Sequence, residues 1–320
     1  MAAVGPWPRP ADLVVVGRSG AHRLSKPRDR HRPTRGYSPA AGLATAGAAR
    51  AACAWGRPSA SGRLSAASLW LVPAGVSATA PVLLYLHGGG FTGGSAGTHA
   101  PWAARLAKAA QCRVLLPDYR LAPEHPFPAQ HDDALAIWAW LVAQHGGRAH
   151  QLAVAGDSAG GNMAATLLWR APAAGLPAPA AAVLLCPWVD VAPFADTPAN
   201  RAAFDWPERA HFANWRQGWL GDRAVAGLPD PALASPLCLD SLRLAACAPC
   251  LVLVGGAEML VEQVRAFVAN ANAAGAPMAL EVVPDMVHDW FALDAVLAQA
   301  RGVEHTVAPF LRARWGGDCS

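Results

Sequence analysis

The chain has 320 residues, of which 53% are hydrophobic and 15% charged, a balance that favours one soluble, enzyme-sized unit with an easily filled interior. Its formal charge of +4 is lopsided: residues 1 to 60 hold ten Lys or Arg against Asp12 and Asp29, and everything after them sums to −4. With no zinc-finger spacing and no reading helix, nucleic acid is not an expected partner, and a basic patch of Arg23, Lys26, Arg28, Arg30, Arg32 and Arg35 remains only as a lesser alternative for nucleic acid or anionic lipid.

In chain order, residues 1–65 are rich in Pro, Gly, Ala and Arg and read as a basic leader or a divergent cap element, with helix written at most over 40–54. The apolar run Ala11–Val16 is too short, and too interrupted by Asp12, for a signal-peptide core. No later stretch reaches the roughly 18 apolar residues of a membrane span, so stable membrane insertion is not expected. From Leu69 the text changes. Strands are predicted at 69–73, 82–86, 112–116, 151–155, 181–185, 250–254 and 278–283, and helices at 102–110, 132–144, 158–169 and 260–273, with closing helices over 291–315. Buried strands alternating with helices predict a mostly parallel α/β sheet with helices on both faces, over residues 66–320.

Between about 190 and 235 the alternation stops. Pro207 is placed in the first turn of a helix whose Phe212, Trp215 and Trp219 recur at three- and four-residue spacing, so this insertion is expected to cap the C-terminal edge of the sheet. Core packing and a substrate-facing lid explain that stripe equally well. Phe91, Trp188, Trp215 and Trp290 are the pocket candidates.

Gly156-Asp-Ser-Ala-Gly160 sits between a predicted strand and a helix, the setting in which a strained turn exposes a nucleophilic hydroxyl, here that of Ser158. His87-Gly-Gly-Gly90-Phe91 follows another strand; two amides among Gly88, Gly89 and Gly90, with that of Ala159, are the expected donors to a developing oxyanion. It lacks the endings of a phosphate or dinucleotide loop. His87 is read as an orienter of this loop.

A serine nucleophile needs a base, and the base needs a carboxylate that fixes its tautomer. His288 lies a few residues past the last strand, whereas the rivals His99 and His125 precede the nucleophile. Glu258 follows the strand 250–254 and is the expected acid, with Glu262, Asp285 and Asp289 as alternatives. Seven cysteines, an odd number partly within apolar runs, point to a reducing, cytoplasmic compartment; Cys247-Ala-Pro-Cys250 lacks a second CxxC and is read as structural. No HExxH or clustered Cys/His set suggests a metal, and no cofactor is expected.

HGGGF at 87–91, DYRLAPEHPFPA at 118–129, GDSAGGN at 156–162, GGAEML at 255–260 and MVHDW at 286–290 together resemble the hormone-sensitive-lipase-like branch of the α/β-hydrolases, the bacterial family IV esterases, over about residues 68–315. The resemblance implies an α/β-hydrolase fold and a serine carboxylesterase acting on short- to medium-chain acyl esters without a cofactor. Ser158 matches the family nucleophile, His288 its base and the HGGG run its oxyanion loop, while Asp118 to Pro128 matches a mainly structural segment. Homodimers are common in the family. Glu258 stands where many relatives have Asp, and the usual N-terminal lid helices are hard to find in residues 1–60. Lactone, amide or thioester hydrolysis by the same triad, and a non-catalytic ligand-binding homologue, remain the alternatives.

Overall fold

A computed structural model describes residues 13–14, 52–54, 67–145, 147–195 and 205–316. The strands are β1 (Leu13–Val14), β2 (Ala52–Ala54), β3 (Ala67–Pro73), β4 (Val82–Leu86), β5 (Arg113–Pro117), β6 (Leu152–Asp157), β7 (Ala182–Leu185), β8 (Cys250–Gly255) and β9 (Met278–Val283). They form a single sheet in the order β1-β3-β5-β4-β6-β7-β8-β9, with β2 also pairing to β3. From β5 through β9 every pairing is parallel, and only β1, β2 and β3 join antiparallel at one edge. The mostly parallel α/β sheet read from the alternation is what the chain forms.

Alternation within each strand divides the core in two. Val82, Leu84 and Leu86 of β4 join one apolar cluster with α2 (Ala129–His145), α3 (Ser158–Ala173) and α7 (Val261–Ala273). Leu83 and Tyr85 join a second cluster on the other face, against α1 (Ala96–Ala110) and α8 (Val303–Arg314). Because both faces are covered, β4, β6, β7 and β8 are buried at every residue, the reason each reads as an unbroken apolar run.

Between α3 and α7 lie α4 (Arg209–Leu220) and the short helices α5 (Pro231–Ala234) and α6 (Ser241–Ala245). Two boundaries differ from the sequence reading. α1 starts at Ala96, six residues before Trp102, because Ser95 and Thr98 form a reciprocal capping box and the Ala96 amide donates to Asp118 Oδ1; Pro101 is carried inside the helix. Pro207 lies ahead of α4 rather than in its first turn, since the cap is Glu208, whose side chain and that of His211 close a capping box. Apart from β1 and β2, the leader expected over 1–65 lies outside the described residues.

After β4 the chain moves outward to β5 and then returns to the other side as β6, so β4 and β6 are neighbours whose connections leave in opposite directions. The crevice beyond the C-terminal ends of such strands is where open α/β sheets bind ligands.

Candidate active site

Five neighbouring strands deliver the candidate residues at that one edge. β4 ends in His87 and the glycine loop, β6 runs directly into Ser158, β7 is followed by Cys186, β8 by Glu258 and β9 by His288. Ser158 opens α3 with φ of 51°, a left-handed conformation that costs energy for any residue with a Cβ. The turn is tight enough that a Cβ at Gly160 would overlap the Leu86 carbonyl and one at Gly156 the Gly160 carbonyl, which is why the motif has glycine on both sides of its serine.

His288 Nε2 lies 2.9 Å from Ser158 Oγ, and His288 Nδ1 lies 3.3 Å from Glu258 Oε1. Glu258 Oε2 accepts the Gly255 N–H at 2.8 Å, which fixes the carboxylate against the end of its own strand. All three side chains are buried. The rival bases are elsewhere: His99 pairs with Asp157, and the His125 carbonyl accepts from Gln130. Glu262 ion-pairs with Arg265 on α7, away from His288.

Three groups that sequence reasoning did not assign complete the surroundings. Asp205 accepts the His288 N–H at 2.7 Å on Oδ1 and the Met259 N–H at 2.8 Å on Oδ2, and so ties the histidine loop to the loop of Glu258. Asp289, weighed above only as an alternative acid, places Oδ2 3.4 Å from His288 Nε2, and burial pushes its carboxyl up to about 8 against the pull of His288. Burial lowers the His288 imidazole, but Asp289, Glu258 and Asp205 outweigh it and leave the ring above its ordinary value. The third is Cys186, whose Sγ lies with a ligand atom of Glu258 and one of His288 inside a cluster where all separations are within 4.8 Å. No spacing in the sequence links these residues.

The glycine loop is braced from below. Tyr119 Oη donates to the His87 carbonyl at 2.6 Å, its ring stacks on His87 at 4.2 Å, and a Cβ at Gly88 would overlap the Asp157 carboxylate. Burial pushes His87 down to about 4, so it is neutral at pH 7 and orients the loop rather than carrying protons. From above, a Cβ at Gly90 would overlap Trp215 of α4, so only glycine admits that helix. Asn162 of GDSAGGN donates through Nδ2 to the carbonyls of Trp188 and Ala234, and its Oδ1 accepts from His131 Nε2 at 2.9 Å.

The four pocket candidates separate. Trp215 covers Gly90, and Trp188 lines a cleft of about 340 Å³ with Val191, Phe194, Phe212, Arg209 and Arg216. Phe212 bridges that cleft to the site, its ring 5.8 Å from His288. Phe91 is fully buried, stacked on Trp219 at 3.8 Å, and supports the loop from within the core. Trp290 is a correction: it belongs to the apolar cluster on the opposite face of the sheet, beside Phe291, because the residue after Asp289 turns back under the sheet.

A family model for the alpha/beta hydrolase fold matches residues 83–292. The chain is 37% identical to an acetyl-hydrolase of Streptomyces hygroscopicus over 235 residues, 73% of this chain and 76% of the relative. It is 35% identical to an ethyl acetate hydrolase of Pseudomonas putida over 222 residues, 68% of each. Among solved structures, an esterase from the bacterial hormone-sensitive lipase family superposes with a TM-score of 0.71 at 37% identity, covering 78% of this chain and 82% of that one.

Proposed function

The chain belongs to the hormone-sensitive-lipase-like α/β-hydrolases and is a serine carboxylic-ester hydrolase, and from that premise we propose that Ser158 is its nucleophile, His288 its general base and Glu258 the orienting acid. The observation that carries the assignment is the unbroken contact series from Ser158 Oγ through both ring nitrogens of His288 to Glu258. Asp289 approaches Nε2, the nitrogen that faces the serine, so it cannot hold the Nδ1 proton; Glu258 does.

In the cycle, His288 Nε2 takes the Ser158 proton as Oγ attacks the ester carbonyl, and the imidazolium is stabilised by the nearby carboxylates. Two amides among Gly88, Gly89 and Gly90, with that of Ala159, supply the oxyanion donors. Protonated His288 then hands its proton to the leaving alkoxide, and water activated by the same ring releases the acid. The aromatic cleft beside Phe212 suits the apolar part of a modest acyl or alcohol group. Relatives described as acetyl-hydrolase and ethyl acetate hydrolase support short acyl chains. The 190–235 segment acts as a cap through α4, and residues 1–65 as a leader or further cap. Five cysteines among the described residues are free thiols, which supports the cytoplasmic reading; no described helix is long and apolar enough to cross a membrane. A homodimer is the assembly proposed, and among the described residues β9 is the last strand on its side of the sheet; sedimentation tests the dimer.

The deciding experiment is a rate profile over p-nitrophenyl esters from acetate to palmitate, with Ser158→Ala as control. Turnover is expected to peak at butyrate or shorter and to vanish in the variant. A profile that peaks at palmitate removes the chain-length assignment, and undiminished turnover without Ser158 removes the nucleophile.

The charge around His288 sets the pH dependence. Only the neutral ring accepts the serine proton, and three carboxylates hold it protonated to higher pH than an isolated imidazole, so activity is lost as pH falls through the raised value. Asp289→Asn removes one of those charges and is expected to move the acidic limb of kcat/KM down by about one pH unit or more. An unmoved limb means that Asp289 is not ionised when His288 titrates.

A further inference from the structure

We propose that Cys186, Glu258 and His288 form a binding site for a thiophilic divalent cation, Zn²⁺ foremost, and that its occupation switches the hydrolase off. The residues follow the adjacent strands β7, β8 and β9, and one ligand atom from each lies within 4.8 Å of the others. In a tetrahedral site with bonds near 2.1 Å, nitrogen and oxygen ligands stand about 3.4 Å apart, and a sulfur slightly farther from either. His288 Nδ1 and Glu258 Oε1 already stand 3.3 Å apart. The sulfur stands no more than 4.8 Å from a ligand atom of each, so a shift of about 1 Å brings it to bonding distance.

The supporting contacts are those of a metal site. Glu258 Oε2 is held by the Gly255 amide, which leaves Oε1 to bind. The Asp289 N–H points at Cys186 Sγ at 3.4 Å and stabilises the thiolate that binding creates. One thiolate and one carboxylate match the charge of the ion, so the occupied buried site is neutral, and water takes the fourth position. Cys186 is a free thiol and is fully buried.

The consequence for catalysis follows from proton accounting and rests on the triad proposed above. In the active tautomer the one proton of the neutral ring sits on Nδ1, and the Nε2 lone pair faces Ser158. When the cation takes Nδ1, that proton moves to Nε2 and the Cys186 thiol proton leaves to solvent. A ring with N–H at Nε2 cannot receive the serine proton, so turnover stops with no need to displace the histidine.

The test uses the full chain with Zn²⁺ alone as probe. Metal binding is measured by calorimetry on the wild type, Ser158→Ala and Cys186→Ala, with Co²⁺ substituted to read the thiolate-to-metal absorption band; p-nitrophenyl ester hydrolysis is followed in parallel, each protein against its own metal-free rate. Wild type and S158A are expected to bind one ion more than C186A and to show the cobalt–thiolate band that C186A lacks. Wild-type hydrolysis should decline with time after Zn²⁺ addition and recover with EDTA, and C186A should be at least about tenfold less sensitive. Equal stoichiometry and equal sensitivity in C186A, or no thiolate band in S158A, overturns the site. Where C186A does not fold, Cys186→Ser replaces it. Because S158A binding is read without turnover, failure of the esterase assignment appears as an inactive wild type, and failure of the metal site as an active but zinc-indifferent one.

Discussion

His288→Ala is expected to lower kcat/KM on the best p-nitrophenyl ester by about 10⁵-fold, and Glu258→Gln by about 10³- to 10⁴-fold, with both variants folded. The difference has a structural cause. His288 Nε2, 2.9 Å from Ser158 Oγ, is the group that receives the proton, and no other base among the described residues touches that hydroxyl. Glu258 acts through the ring: at 3.3 Å from Nδ1 it selects the tautomer and stabilises the imidazolium, and its own position is held by the Gly255 amide. A glutamine keeps the shape and loses the charge. Near-normal activity in E258Q together with a collapse in Asp289→Asn would transfer the acid's role to Asp289, and stopped-flow kinetics on the two variants distinguishes the cases.

Most of the scaffold was legible because it is written locally. A parallel strand covered on both faces must be apolar throughout, and β4, β6, β7 and β8 announce themselves that way. The glycines of both motifs are legible as residue types, and their cause is clearance: neighbouring backbone at Gly156 and Gly160, and the Trp215 ring at Gly90, admit no Cβ. Glu258 and His288 could be placed because each falls shortly after a strand end. The residues that were missed act across the chain. Asp205 bonds backbone amides 54 and 83 positions away, and Cys186 meets its neighbours only because β7, β8 and β9 are adjacent. Helical spacing showed that Phe212, Trp215 and Trp219 share a face, yet it could not tell core from cleft. The helix serves both: Trp219 stacks on Phe91 in the core while Trp215 and Phe212 reach Gly90 and His288. Trp290 was misplaced because a left-handed Asp289, φ of 51°, reverses the direction in which the next side chain points.

The second large effect lies beneath the glycine loop, in stability rather than turnover. Asp157 accepts from Tyr85 Oη at 2.8 Å and pairs with His99 Nε2 at 3.2 Å, with the carboxylate 1% exposed. Burial works against both charges. It tends to raise Asp157, yet His99 and Tyr85 hold that carboxyl below its ordinary value; it tends to lower His99, yet Asp157 holds the imidazole up at about 9. Asp157 therefore contributes stability that is present above its unfolded value of 3.8 and is lost as pH falls below it. His99 contributes stability that is complete below 6.5 and is lost as pH rises through about 9. Both shares coexist only between those limits. His99→Ala strands the buried carboxylate with one hydroxyl donor, which is expected to cost about 3–5 kcal/mol and lower Tm by about 10 °C at pH 6. Adding Asp157→Asn to that variant removes the stranded charge, so the double variant should regain part of the loss, and calorimetry across pH 5 to 9 should show the wild-type decline above pH 6.5 flattened in both. A double variant less stable than His99→Ala alone would mean that Asp157 is held by its hydrogen bonds and not by the ion pair.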